Sequence, residues 1–378
     1  MDQKAFKPSI FGNSTEKARA TFDEWYRKRK DSLLVHDEFI TQLKDLIKTR
    51  NPSRSLSESD YEEEINSYRV GRDLQNCGCW VYYPWSSRLV HLLGKSEFTE
   101  LRTNRNRYKI MPDEQQVLEK KRVGVVGLSV GQSVAIAMTL ERSYGLIRLA
   151  DFDTLDLSNM NRIRTGVHNL GLPKALLTAR EIAEIDPYVE VECFLDGLTE
   201  ANIEHFLRGN DTRTPLDVLV DECDDLAMKV LMRQRARQLR IPVVMDTSDR
   251  GMLDVERFDL EPSRPIFHGI IDDLEYRKLK GLTTEQKIPY VMKFIGGIEN
   301  TPRMAASLME IGQTISTWPQ LASDVLLGGA IAAETIRRIH LRQFQGSGRY
   351  FVCPQEIISD PLSTSTNEGT SDTLHPRR

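Results

Sequence analysis

A glycine turn followed by two acidic residues forms a set that can bind a nucleotide. The apolar run at 123–126 leads into Gly127 and Gly131, and a second apolar run ends on Asp151, two residues before Asp153. Glycines let the backbone approach phosphate oxygens, and the start of a helix presents unpaired N–H groups to them. An acid about 20 residues further on can bind a ribose hydroxyl. This spacing predicts a nucleotide-binding βαβ unit.

Apolar runs of strand length, alternating with helical segments, must hold these residues in place. The runs expected to form strands are Val123–Val126, Leu146–Ala150, Tyr188–Phe194, Leu216–Cys223 and Ile241–Thr247. Helices are expected from Pro173 to about Ile185 and over 319–340, the second with Pro319 at its start. The alternation predicts an α/β fold with a Rossmann-like, mostly parallel sheet flanked by helices, preceded by an N-terminal accessory module.

An ordered series of motifs between about residues 100 and 340 resembles the E1-like, ThiF/MoeB-type adenylating enzymes. The family pattern has a glycine-rich turn, then D-x-D, S-N-L-x-R, a P-K pair and D-C-T-D-N, with R-Y-x-R-Q upstream. The corresponding segments are Gly127–Gly131, Asp151–Asp153, Ser158–Arg162, Pro173–Lys174, Asp221–Asp225 and Arg102–Asn106. Ser129 and Val130 depart from the pattern, because the family has glycines there. The resemblance implies the E1/ThiF fold.

The resemblance also implies a reaction. Enzymes of this family join a carboxylate to the α-phosphate of ATP and release pyrophosphate, which brings two anions together and so requires positive charge. By resemblance, Arg162 and Lys174 contact the phosphates, and Asp224 holds Mg²⁺, which prefers carboxylate and phosphate oxygens. The implied cofactors are therefore ATP and Mg²⁺. Taken singly, a basic residue after a strand is more often a solvated residue at a helix start.

Three further roles follow from the family rather than from spacing. Asp151 binds the ribose, and Asn159 helps to fix the phosphates or the acyl oxygen. Arg105 is an arginine finger, carried on an arm that reaches into the neighbouring subunit, so the resemblance implies a homodimer. The alternative for any single aspartate at a strand end is that it caps the following turn.

The cysteines favour an enzyme without a thioester relay and without zinc. Some relatives use a downstream cysteine to take the acyl group, but none lies between Cys223 and Cys353. Structural zinc in this family is held by two C-x-x-C pairs, whereas Cys77 and Cys79 form C-x-C. We therefore expect no zinc site, and direct attack on the acyl adenylate by a nucleophile of the substrate or of a second substrate. Packing is the expected role of Cys223.

The composition is that of a cytoplasmic enzyme. The chain has 378 residues, of which 28% are charged and 40% hydrophobic, and a formal net charge of −4. This balance gives no reason to expect nucleic acid or an anionic membrane as a partner. Five cysteines without a pairing pattern suggest a reducing compartment, and the first residues lack the apolar core of a signal peptide.

The chain divides into three expected regions. Residues 1–95 form the accessory module, 96–345 the adenylation domain with a crossover loop at 266–315, and 346–378 a C-terminal segment with a disordered tail. Ser14–Arg50 is expected to be helical, and Gly296-Gly297 could be a hinge or a plain turn. An aromatic cluster at Trp80–Trp85 is expected either to pack the module against the core or to line a groove for a peptide or partner chain.

Polar residues after the last predicted strand could face a substrate. Asp246, Asp249 and Arg250 lie at the expected carboxyl edge of the sheet, where ligands bind, although turn capping is an equal alternative for each. His168 and His268 are the histidines nearest the proposed site, and no Ser/His/Asp arrangement surrounds them. We expect both to be structural.

Two features limit the choice of the carboxylate that is activated. They are the missing cysteines and the extra N-terminal module. The module resembles the arrangement in E1-like enzymes that modify ribosomally made peptides, where it clamps a leader segment. The leading hypothesis is therefore activation of glutamate side chains in a precursor peptide, as in pantocin-type biosynthesis. The alternatives are an activator of a ubiquitin-like or sulfur-carrier protein, and a non-catalytic nucleotide-binding protein. A stretch at 247–257 is also similar to bacterial ThiF-like proteins fused to nitroreductase domains.

Overall fold

The fold is known from a computed structural model. It describes residues 5–12, 15–209, 215–247, 249–270, 275–283, 286, 289–290 and 301–358. The expected hinge at Gly296-Gly297 and the expected tail at 359–378 lie outside the described residues.

The strands fall into two sheets. Their bounds are β1 Ser9–Gly12, β2 Leu34–Asp37, β3 Cys79–Tyr83, β4 Arg88–Leu92, β5 Arg122–Val126, β6 Leu146–Ala150, β7 Glu190–Phe194, β8 Val218–Asp221, β9 Val243–Thr247, β10 Met252–Glu256 and β11 Gly348–Phe351. Within the described residues, β11-β10-β9-β8-β5-β6-β7 form a seven-stranded sheet, and β1-β3-β4-β2 form a four-stranded one. In the larger sheet β9-β8-β5-β6-β7 are parallel, while β10 and β11 run antiparallel at one edge.

The helices cover both faces of the larger sheet. Their bounds are α1 Glu16–Arg27, α2 Phe39–Arg50, α3 Glu58–Arg69, α4 Lys95–Arg102, α5 Pro112–Leu118, α6 Gly131–Glu141, α7 Lys174–Ile185, α8 Ile203–Arg208, α9 Leu226–Leu239, α10 Tyr276–Leu279, α11 Pro302–Glu310, α12 Ala322–His340 and α13 Pro354–Ile357. Residues of α6, α7 and α12 share one buried cluster with the sheet, and residues of α8, α9 and α10 share a second. The predicted α/β fold with a mostly parallel, helix-flanked sheet is therefore confirmed.

Two expectations about single elements are corrected, and one strand was not predicted. The stretch Ser14–Arg50 is not one helical segment, because β2 separates α1 from α2 and pairs in parallel with β4. Pairing with a neighbouring strand outweighs the local helical pattern there. The long helix begins at Ala322 rather than Pro319, with Leu321 at its N-cap. The segment after 345 contributes β11, which extends the larger sheet beside β10.

Tyr188 joins the N-terminal module to the larger sheet. Its hydroxyl donates a hydrogen bond to the Leu93 carbonyl at 2.6 Å and lies 2.7 Å from the Cys79 thiol. Nearby, the Trp85 indole donates to Glu184 of α7 at 2.6 Å, and the Arg180 guanidinium lies over its ring. Part of the predicted aromatic cluster therefore packs the module against the core, as one of the two alternatives held.

Candidate functional site

The ends of three parallel strands meet at one edge of the sheet. Val126 of β5 is in register with Ala150 of β6 and with Asp221 of β8, so the residues that follow these three strands lie side by side. They surround a cavity of about 390 Å³. Its described lining residues include Gly127, Ser129, Val130, Asp151, Phe152, Asp153, Gly197, Leu198, Glu222, Cys223, Asp224, Asp225, Met228 and Gln320. A larger cavity, of about 570 Å³ between α4 and α5, shares none of these residues.

The glycine turn has the shape that the sequence analysis expected. Gly127 has a φ of +85°, and a side chain there would collide with the Glu222 carbonyl. Gly131 is the first residue of α6, and a Cβ atom at that position would lie 2.7 Å from Val125. Both positions therefore require glycine. The first N–H groups of a helix have no acceptor within it, so the start of α6, which directly follows the cavity-lining Val130, suits an anion.

Asp151 holds the backbone of this turn through hydrogen bonds. One of its oxygens accepts a hydrogen bond from the Leu128 amide at 2.6 Å, and the other accepts from the Asp153 amide at 2.8 Å. Burial raises the pKa of Asp151 above its usual value, and these backbone hydrogen bonds oppose the rise. The carboxylate thus organises two cavity-lining segments at once, whatever ligand it also contacts.

Lys174 reaches the cavity from the start of α7. Its buried Nζ atom lies 3.0 Å from the Ser129 hydroxyl and 2.9 Å from the Asp153 carboxylate. Ser129 stands where the family pattern has glycine, so the departure noted in the sequence supplies a partner to Lys174. This pairing was not predicted, because it joins residues 45 positions apart.

Arg162 lies close enough to Asp224, which lines the cavity, for their charges to interact, but Arg162 is not itself among the described lining residues. One terminal nitrogen of Arg162 donates to the Asn161 side chain at 3.0 Å, while its Nε is buried with no hydrogen-bond partner among the described residues. Burial lowers the pKa of Arg162, and the charge of Asp224 opposes that shift. Asp224 itself is exposed and lines the cavity. A guanidinium with an unused donor can bind an anionic ligand.

Asn159 holds the loop that carries Arg162. Its side-chain oxygen accepts a hydrogen bond from the Asp156 amide at 3.1 Å, which caps the short turn Leu157–Asn161. Asn159 is not among the described residues that line the cavity. The structure therefore gives it a capping contact and no contact with the cavity.

Arg105 lies at the far end of α6. The Asn106 side chain donates to the Glu141 carbonyl at 3.0 Å, and Arg102 donates to the Thr139 carbonyl at 2.5 Å, so this segment is fixed to the last turn of that helix. The 11 residues of α6 span about 16 Å. Arg105 is exposed and does not line its own chain's cavity. A role at a cavity would therefore require a second copy of the chain.

The three polar residues after β9 do not line the cavity among the described residues. Asp249 accepts hydrogen bonds from the Thr301 amide and hydroxyl, both at 2.8 Å, and so anchors the start of α11. Arg250 pairs with Glu356 at 2.7 Å. Of the two alternatives that the sequence left open for these residues, the contacts agree with turn capping, because both side chains hold neighbouring turns.

Asp246 is buried against α12. A side chain at Gly328 would collide with its carboxylate, and neither side-chain oxygen has a hydrogen-bond partner among the described residues. Burial raises the pKa of Asp246 to about 6, against the opposing charge of Lys229. Its backbone amide donates to Glu222 at 2.9 Å. The pKa of Glu222 also lies well above the usual range, because of burial and then the charge of Asp246.

The two histidines lie outside the cavity. His268 is 3.0 Å from Asp254, and His168 is exposed in the short turn Val167–Asn169. Neither lines the described cavity. Both placements agree with the structural roles expected from the sequence.

Phe152 and Glu222 line the cavity and were not singled out from the sequence. Phe152 stands between the two acids of the D-x-D motif and is 73% exposed, so its ring is available to a flat ligand. Glu222 stands where the family pattern has cysteine. Both residues could have been identified from their position in the sequence, because each directly follows an aspartate of a recognised motif.

Cys223 has a thiol that is difficult to ionise. Burial raises its pKa well above the ordinary value, and the charge of Asp221, 3.2 Å from the sulfur, raises it further. Since the thiolate is the reactive form, Cys223 is a poor nucleophile in this arrangement. Within the described ranges no three His, Cys, Asp or Glu side chains come close enough to hold a metal ion together. The same ranges contain no helix with the length and apolarity needed to cross a membrane.

Comparison with known proteins shows a family match over the part of the chain that forms this cavity. The model of the ThiF family matches residues 102–343, which include every residue predicted for the site. A protein of Mycobacterium tuberculosis called uncharacterized protein MT1398 is 47% identical over 276 residues, covering 73% of this chain and 38% of its own length. The sulfur carrier protein adenylyltransferase of Thermus thermophilus is 28% identical over 138 residues, covering 36% and 48%. The chain thus spans less than half of either relative.

Among solved structures, the crystal structure of PaaA, determined on selenomethionine protein, is similar over most of both chains. The match covers 92% of this chain and 99% of PaaA, with 15% sequence identity and a TM-score of 0.45. At that score the likeness supports no inference about function.

Proposed function

This chain belongs to the ThiF family, and from that premise we propose that it is an ATP-dependent enzyme that adenylates a carboxylate. The observation that carries the proposal is that the buried Lys174 contacts two residues of the cavity wall, Ser129 and Asp153. The α6 N-terminus follows the glycine turn of the same wall, and the incompletely bonded Arg162 interacts with the charge of cavity-lining Asp224. Three sources of positive potential there match the α-phosphate at which negative charge develops during adenyl transfer.

In this proposal ATP enters with its phosphates over the glycine turn. Asp151 takes the ribose with the lone pairs that its backbone contacts leave, and the exposed ring of Phe152 stacks on the base. Mg²⁺ is held by Asp224 together with phosphate oxygens, since Mg²⁺ often uses one carboxylate, substrate phosphates and water. Such a site needs no preformed cluster of protein ligands. The ion supplies charge neutralisation between the phosphates.

The adenylate is attacked directly in this proposal. The raised pKa of Cys223 keeps its thiol protonated near neutral pH, which supports the prediction that no thioester forms there. The nucleophile is therefore a group of the substrate or of a second substrate. Its attack on the acyl carbon forms the new bond and releases AMP.

We propose that a third cationic side chain of the site comes from a partner subunit. Arg105 is exposed and lies a helix length from its own cavity, so it serves the cavity of a second copy in a homodimer. Exposed apolar side chains surround its segment, including Tyr108, Met111 and Leu140. An apolar surface of this kind supports burial against another chain.

The proposed substrate is a precursor peptide whose glutamate side chains are activated, as in pantocin-type biosynthesis. The feature that supports a peptide is the edge strand β2, whose four residues are all exposed. An extended peptide can add to such an edge through backbone hydrogen bonds. The second candidate is a carrier protein with a C-terminal Gly-Gly, which is supported by the Thermus relative named as a sulfur carrier protein adenylyltransferase.

The test is to incubate the protein with Mg-ATP and either a glutamate-rich peptide with its leader or a carrier protein, and to identify the nucleotide products and the substrate mass. AMP and pyrophosphate with water loss from the peptide are expected. AMP and pyrophosphate with the carrier alone would select the second candidate. ADP and phosphate would refute adenylation. Arg162→Gln should abolish turnover. Arg164→Gln is the matched control, because Arg164 lies two residues further on and its exposed side chain pairs with the half-buried Glu181.

A further inference from the structure

Arg233 is a fully buried arginine that joins two strands of the sheet. From α9, its Nη1 atom donates to Asp221 at the end of β8, and its Nε donates to Glu256 at the end of β10 at 2.5 Å. The guanidinium also lies 4.1 Å from the centre of the Phe267 ring. A fork of donors can hold two carboxylates at once, which a lysine ammonium does less well.

On one side, Arg233 fixes the turn that carries Asp224. Asp221 also accepts hydrogen bonds from the Cys223 amide at 3.3 Å and from Lys229 at 3.2 Å. Burial alone would raise the pKa of Asp221, but the charges of Lys229 and Arg233 outweigh it, so the pKa falls below the usual value. The ionised carboxylate therefore holds the backbone of the turn Asp221–Asp225 at the cavity wall.

On the other side, Arg233 fixes a strained turn at Ile266–Gly269. Glu256 accepts a hydrogen bond from the Phe267 amide at 2.6 Å. Phe267 and His268 have φ values of 51° and 57°, so two consecutive residues other than glycine adopt the left-handed conformation. Such residues cost about 1 kcal/mol or more each and persist only where the surroundings hold them. Here the surroundings are Arg233, Glu256 and the His268–Asp254 contact at 3.0 Å.

We propose that Arg233 is a positioning residue that couples nucleotide binding at the cavity to the strained turn Ile266–Gly269. Ligand contacts at Asp224 fix the turn Asp221–Asp225, and the bidentate Arg233 transmits that order through Glu256 to the Phe267 amide. The left-handed residues Phe267 and His268 then have two arrangements. They keep the left-handed conformation while the hydrogen bonds of Arg233 and Glu256 are intact, and they relax when these hydrogen bonds break. This inference rests on the proposed function, since it takes Mg-ATP as the ligand.

The test follows hydrogen exchange of backbone amides in peptides spanning 264–270 of the full-length protein, with and without Mg-ATP. In the wild type, Mg-ATP should slow exchange of the Phe267 amide by about tenfold. The amide exchanges when the turn Ile266–Gly269 opens locally, and in the nucleotide-bound protein this opening also requires the turn Asp221–Asp225 to loosen. In Arg233→Lys, ATP affinity should stay within about threefold of the wild type while this protection is lost. The kcat for ATP–pyrophosphate exchange should fall while KM for ATP changes little.

Arg237→Lys is the matched control. Arg237 lies one turn further along α9 and donates to the Arg264 carbonyl at 3.3 Å, so it touches the same segment without touching Asp221 or Glu256. Its variant should keep the protection. Glu256→Gln is a second test, which interrupts the network between Arg233 and Phe267 but leaves the Arg233–Asp221 contact in place. This variant should also lose the protection, so the proposal can still be tested if Arg233→Lys does not fold.

Two results would overturn the proposal in different ways. Full protection by Mg-ATP in both Arg233→Lys and Glu256→Gln, or no protection in a wild type that binds ATP, would show that the two turns are independent. Failure of the wild type to bind ATP by calorimetry would instead overturn the proposed function, and this coupling with it.

Discussion

The Nζ atom of Lys174 lies 2.9 Å from the carboxylate of Asp153, so the cation expected to meet the phosphates already has an anionic partner. Lys174 is buried, whereas the Asp153 side chain is 52% exposed and can turn towards water. An incoming phosphate therefore competes with a carboxylate for this lysine.

We predict that Asp153→Asn tightens ATP binding by about threefold, because it removes a competing negative charge while keeping a hydrogen-bond acceptor for Lys174. Lys174→Met should weaken ATP binding by about tenfold or more, since a buried charge contact with the phosphates is lost. Calorimetric titration with ATP measures both. Weaker binding in Asp153→Asn would mean that the carboxylate contacts the ligand in a favourable way.

Gly127 provides a prediction about the turn. Gly127→Ala should destabilise the protein by about 2 kcal/mol or more, because it combines a positive φ with a collision against the Glu222 carbonyl. The control is Gly171→Ala, where φ is +80° but a Cβ atom would meet nothing within 4 Å, so only about 1 kcal/mol of backbone strain is expected. Urea unfolding gives both values. Equal losses would show that the collision does not contribute.

Asp246 predicts a dependence of stability on pH. Its pKa of about 6 in the folded protein is above the ordinary 3.8, so folding favours the protonated form. Well below pH 3.8 the carboxyl group is protonated in both states and does not lower the free energy of unfolding. Between pH 3.8 and 6 the free energy of unfolding falls, and above pH 6 this loss remains constant. Asp246→Asn should raise the free energy of unfolding by about 1 kcal/mol at pH 8 and by little at pH 4. Asp45→Asn, at an exposed position on α2, is the control. A gain that is the same at both pH values would contradict the burial argument.

The placement of Arg105 predicts complementation between two inactive variants. Arg105→Ala and Arg162→Ala should each lose activity, but an equal mixture after subunit exchange should regain about a quarter of the wild-type rate. Half of the dimers are then mixed, and each mixed dimer has one complete site. Arg107→Ala, an exposed neighbour, should remain active by itself. A mixture that stays inactive after mass spectrometry has confirmed mixed dimers would place Arg105 in the site of its own chain.

The glycine turn and the acids of the site could be located from the sequence because each lies within a few residues of a strand end. Gly127, Asp151 and Asp224 occupy positions that the strand order brings together by parallel pairing. Contacts between distant residues could not be located in this way. The Lys174–Ser129 contact depends on how α7 packs on the sheet, and no local pattern specifies it.

The errors have a similar cause. The region of β2 has helical spacing in sequence, but its backbone pairs with β4, more than 50 residues away. For Asp249 and Arg250, which follow a parallel strand as ligand-binding residues do, the sequence left two alternatives open, and only their contacts with Thr301 and Glu356 favour turn capping. Arg233 gave no signal at all, since an arginine within a helix is usually solvated and its burial appears only when β8 and β10 are both in place.

The Tyr188 hydroxyl, which lies between Leu93 and Cys79, fixes the N-terminal module against the larger sheet. This half-buried contact is reinforced by Trp85, whose indole donates a hydrogen bond to Glu184 of α7, so the module does not move freely relative to the cavity. A segment bound to it is presented from a fixed distance and direction. For the proposed peptide substrate, the effective local concentration of a reactive side chain would then depend on how many residues separate it from the bound segment, and this spacing would select the carboxylate that reacts.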